Sequence, residues 1–98
     1  MAQWKRRTPE RDGTYRFDGQ FLVTHRVSKE LSTAEITFIY LEIKQAVETE
    51  NGLDYLQVFT DESDRKLYFI DQVNDGMKAS KDFLPDDNHC TLLFAEEY

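Results

Sequence analysis

Apolar and polar positions alternate in short runs along most of the chain, and one stretch breaks that rhythm for a helical one. Between Thr33 and Glu48 the apolar residues Ile36, Ile39, Tyr40, Ile43 and Val47 recur three and four positions apart, while Glu42, Lys44, Gln45 and Glu48 take the other side. Ser32 precedes the stretch and Glu35 follows it by three positions, an arrangement in which the serine oxygen accepts an orphan backbone N–H and the glutamate reaches back to the cap. Asn51-Gly52 offers a left-handed stop. The spacing predicts one long amphipathic helix over 33–48.

The remaining runs read as strands. Asp18-Gly19 stands between runs at 14–17 and 20–27 that are rich in β-branched and aromatic residues, which predicts two strands joined by a tight hairpin turn. "LDYLQVF" and "RKLYFIDQV" flank the polar loop Asp61-Glu62-Ser63-Asp64, so strands three and four are expected to be antiparallel neighbours. Leu56 and Val58 then face one side and Tyr55, Gln57 and Phe59 the other. Residues 72–89 lack periodicity and read as a loop, with "DGMKASK" able to form one helical turn; "CTLLFA" is the fifth strand. The order ββαβββ implies an α+β fold, an antiparallel sheet of about five strands with one long helix packed on one face. Residues 1–13 read as a flexible basic tail, and 14–98 as a single α+β domain.

Composition narrows the class. With 98 residues, 40% of them hydrophobic, the chain has enough for one core. No apolar run reaches the roughly eighteen residues of a membrane span, and no apolar segment follows the N-terminal bases, so a soluble cytoplasmic protein is expected. The lone cysteine, Cys90, has no internal disulfide partner. Charge is divided unevenly: residues 1–30 carry a balance of +3 and residues 31–98 a balance of −10, within a net −7. An acidic body repels phosphate backbones, so it is not expected to bind nucleic acid directly. Trp4, Lys5, Arg6, Arg7 and Arg11 of the tail read as solvated.

The segment "DDNHCTLLFAEEY" concentrates the chemistry-bearing residue types. A nucleophilic cysteine needs nearby cations and a histidine within reach, yet Cys90 has acids nearby in sequence, and His89 alternates to the opposite face of the strand. Asp86, Asp87, His89 and Cys90 are metal-ligand types without the recurring motif of a zinc site or the glycine of a calcium loop. Asp86-Asp87-Asn88 reads as turn chemistry after Pro85. There is no phosphate loop, nucleophile elbow or helical His-Glu pair. The expected protein is not an enzyme and holds no metal or cofactor.

"FLVTHRV", "DYLQVF", "YFIDQV" and the closing "HCTLLFAEEY" resemble small bacterial, plasmid and phage proteins grouped under domains of unknown function. The specific pieces are "DYLQVF" and "AEEY". The resemblance implies a small α+β domain with some association with mobile elements; it offers no established activity, so no functional residues carry over. From the residues themselves the expected function is that of an acidic protein-interaction module. Asp61, Glu62, Asp64, Tyr68, Glu96, Glu97 and Tyr98 would form the docking surface for a protein with a basic surface. Tyr55, Phe59, Tyr68, Phe83 or Tyr98 would supply an exposed apolar patch, unless residues 72–89 or a second copy in a homodimer cover it. The alternative is a phage-type inhibitor of a host defence nuclease (anti-restriction or anti-CRISPR) that mimics nucleic acid. A second alternative is a small metal-binding or cysteine-dependent enzyme.

Overall fold

The long helix forms where the spacing places it. The structure, a computed structural model, describes residues 3–73 and 75–98, the side chains of Asp75 and Asp86 apart. Helix α2 there spans Thr33–Glu50, preceded by strands β1 (Lys5–Arg6) and β2 (Gln20–Val23) and helix α1 (His25–Glu30). Strands β3 (Leu56–Thr60) and β4 (Lys66–Asp71), the short helix α3 (Asp75–Lys78) and strand β5 (His89–Phe94) follow it. At the α2 start, Ser32 Oγ accepts from the Glu35 N–H at 3.1 Å and Glu35 Oε1 accepts from the Ser32 N–H at 3.0 Å. At its end, Asn51 and Gly52 hold φ of 56° and 111°, the left-handed stop. Ile39, Ile43 and Val47 are buried, whereas Ile36 and Tyr40 are half-buried.

Part of the expected tail belongs to the domain. Trp4 is buried because its indole combines a large apolar surface with one N–H, and that N–H donates to Glu35 Oε2 at 2.8 Å. Lys5 and Arg6 then pair antiparallel with Thr60 and Phe59 of β3. Arg6 turns to the helix side, where it donates to Gln57 Oε1 and pairs with Glu50.

The expected first hairpin does not form. Residues 14–17 contribute only a bridge between Tyr15 and Leu53, and Phe17 adopts φ of 49°. Gly19 is required by proximity instead of by a turn: a Cβ there would stand 2.5 Å from the Asn88 backbone. The chain thus passes against Asn88, and β2 pairs parallel with β5, Gln20 opposite His89 and Val23 opposite Leu92. The expected second strand also stops early. Thr24 Oγ1 accepts from the Val27 N–H to start α1, and Val27 within the helix and Leu31 at its C-cap are buried.

The result is a five-stranded sheet in the order β1-β3-β4-β5-β2, antiparallel except for the β2–β5 pair. It is mixed where a wholly antiparallel sheet was expected. Side chains alternate across it. Phe59, Leu67, Phe69, Cys90, Leu92 and Phe94 meet α1 and α2 in the core. Replacing Ile43, fully buried, with Ala is expected to cost about 2–4 kcal/mol through the cavity left behind. An unchanged urea unfolding midpoint would contradict its core position.

Candidate functional site

The register defines what lies on the other side of the sheet. Val58, Tyr68 and Leu93 stand opposite one another across β3, β4 and β5. The next row runs Leu56, Ile70, Thr91 and Leu22 across four strands. Ile70 is buried, Leu22 is exposed and the other members are half-buried. Tyr98 folds back onto Tyr68 with ring centroids 5.6 Å apart and planes at 78°, an edge-to-face contact, and is itself 72% exposed. Residues 7–10 border this face and leave a shallow cleft of about 320 Å³ lined by Arg7, Lys66, Leu56, Val58 and Tyr68, with Glu10 and Asp54 also on its wall.

Of the residues expected to dock a partner, the structure brings some together and turns others inward. Tyr68 and Tyr98 meet. Asp61 does not face a partner: its side chain is buried within the β3–β4 loop, where Oδ1 accepts from the N–H groups of Ser63 and Arg65 and Oδ2 accepts from Arg65 Nε at 2.7 Å. Burial works against its charge, but Arg65 and these N–H groups outweigh it and hold the carboxyl below its ordinary value. Glu62 accepts from the Gln3 N–H, and Glu96 pairs with Arg26. Glu97 accepts from Thr24 Oγ1 and the Phe94 N–H. Asp64 is exposed with φ of 62°, a turn position. The 61–64 loop and the 95–97 turn share one end of the sheet, since Leu67 pairs with Phe94.

The expected aromatic patch is likewise revised. Phe59 is fully buried in the core, Tyr55 tilts against Tyr15 at 6.2 Å and Phe83 borders a separate depression with Val73, Met77 and His89. Leu22, Val58 and Leu93 hold the uncovered rows instead. The alternation Leu56/Val58 against Gln57/Phe59 was the available signal. Gln57 obscured which side is the core: it is buried there because Arg6 and the Asp54 carbonyl satisfy its amide.

Burial also governs the residues with chemical potential. Cys90 is fully buried, and its thiol is pushed up to about 12 by desolvation and secondarily by Asp71, the reverse of thiolate activation. The His89 ring nitrogens lie 3.0 Å from the Asp87 carbonyl and 3.1 Å from Gln72 Oε1. Among the described residues, no three His, Cys, Asp or Glu side chains converge as a metal set, and no helix is long and apolar enough to cross a membrane.

Among the described residues, Asp71 is the buried carboxylate held above its ordinary value. Burial raises it, against N–H bonds from Val73 and Phe17 at 3.1 and 3.0 Å. The folded chain therefore keeps this proton to higher pH than the unfolded chain does. Its contribution to stability is greatest at or below the ordinary value of 3.8 and declines as pH rises through the raised value. Asp71→Asn leaves one of those N–H groups unpaired, a cost of about 1–3 kcal/mol. The wild type's advantage over this variant in urea unfolding should be largest in acid and shrink toward neutral pH. A difference that grows with pH would reverse the assignment.

Comparison with protein-family models, with curated proteins and with solved structures finds no match to this chain, and the geometry of its surfaces is the basis on which a function is read.

Proposed function

We propose that the chain is a non-enzymatic module that binds another protein through the uncovered face of its sheet. The observation that carries this reading is the row of Leu56, Val58, Tyr68 and Leu93, half-buried, with Leu22 and Tyr98 exposed beside them, on the face opposite the long helix. Contiguous apolar rows next to solvent mark interfaces in folded proteins. The nucleic-acid-mimic reading has less support. Its carboxylates would have to be free and arrayed on one face, whereas Asp18, Glu30, Glu50, Asp61, Glu62, Glu96 and Glu97 each accept a hydrogen bond from the chain itself. The same engagement weakens the expectation of a partner held by the 61–64 and 96–98 acids.

A competing surface exists on the outside of α2, where Phe38 and Leu41 are 45% and 57% exposed. Site-specific photo-crosslinking in the host distinguishes the two. Leu22→Glu and Leu93→Glu are expected to abolish the cross-linked adduct with little change in thermal midpoint, and Phe38→Glu is expected to leave it intact. Adducts that survive both sheet-face substitutions and disappear with Phe38→Glu would move the interface to the helix.

A further inference from the structure

Three cations stand on the uncovered face of this acidic chain, Arg7 and Lys66 on a cleft with Glu10 and Asp54, and Lys5 beside Asp61 and Glu62. Lys5, Thr60 and Lys66 form one row across β1, β3 and β4. The Arg7 N–H donates to the Val58 carbonyl at 2.7 Å, which extends the Val58–Tyr68–Leu93 row to Arg7. Arg6 points to the core side, so alternation places Lys5 and Arg7 on the uncovered side. Lys5, Arg7 and Lys66 are exposed and make no ion pair among the described residues. By contrast Arg6, Arg26, Arg65 and Lys78 are all paired within the chain. The acids on the same cleft, Glu10 and Asp54, border it without appearing in either cationic row; Asp54 precedes the Leu56 end of β3, away from the Thr60 end where Lys5 and Lys66 stand.

On the reading that this face is the docking surface, we propose that its occupant is an amphipathic helix of another protein, with aliphatic residues against the Leu56, Val58 and Leu93 rows and carboxylates on one flank over Lys5, Arg7 and Lys66. A helix already covers the opposite face of this sheet in the same manner, through Ile39, Ile43 and Val47. Carboxylates complete the three cations and set the orientation of the helix on the sheet. A polynucleotide fits less well. The chain carries −7, the rows are mainly aliphatic, and Tyr68 is half-buried with Tyr98 against it, so it is no open stacking plate. A second copy brings a further −7 of like charge.

Fluorescence anisotropy tests this with three probes: a Leu/Glu amphipathic helical peptide, a Leu/Lys peptide of the same apolar face, and an oligothymidylate. The wild type is compared with Leu93→Glu and with the triple variant Lys5→Glu, Arg7→Glu and Lys66→Glu, each shown folded by circular dichroism. The acidic peptide is expected to bind the wild type in preference to the basic one. It should weaken about tenfold in the triple variant, the size expected from several exposed charge pairs, weaken also with added salt, and be lost in Leu93→Glu. Preference for the basic peptide, or no binding of either, overturns the helix chemistry while host adducts lost in Leu93→Glu still support the docking face. Acidic-peptide binding untouched by Leu93→Glu overturns the face itself. Tighter binding of oligothymidylate reassigns it to nucleic acid, and a Leu93-dependent dimer in sedimentation reassigns it to a second copy.

Discussion

A backbone N–H carried into a core must meet an acceptor there, and for Phe17 that acceptor is the buried Asp71 carboxylate. The route of the first third of the chain depends on this bond. Phe17 takes a left-handed backbone so that its ring reaches Phe69 edge-to-face at 5.0 Å, and its N–H then points inward. The second oxygen of Asp71 accepts from Val73 just past the end of β4. One carboxylate thereby fixes the approach to β2 and the exit from β4. Asp18, the next residue, extends the junction by accepting from Lys78 and Asn88.

What could be read from the sequence was what local chemistry decides. The Ser32–Glu35 box and the Asn51-Gly52 stop bound α2 because every group involved lies within a turn of its partner. The β3–β4 loop was equally legible, although Asp61 proved to be its internal brace. What could not be read depends on distant neighbours. Asp18-Gly19 has the composition of a hairpin turn, yet its glycine answers to Asn88, which only the folded chain brings near. Trp4 sat among bases that suggested solvent, and its burial required a capping glutamate with an oxygen to spare for the indole. The uncovered face was half-legible: the alternation in β3 was plain, but a buried glutamine disguised its direction.

Net charge is a poor guide to local charge in such a small domain. Many of the acids that make the chain negative act on its own backbone and cations, bracing loops, capping helices and tying the final turn to α1. Lys5, Arg7 and Lys66, which make no ion pair among the described residues, stand where β1 crosses β3. The long-range field of the chain is negative, and a partner approaching the sheet meets these three cations only at close range.

The parallel pairing of β2 with β5 has a consequence for how the protein is made. Gln20 leaves the ribosome 69 residues before its neighbour His89. Until then β2 has no strand to join and Cys90 and Leu92 are missing from the core, so α2, β3 and β4 can assemble only an incomplete layer. Closure of the fold thus waits on translation through residue 94, and a message truncated before β5 yields a chain whose sheet lacks the strand that joins β4 to β2.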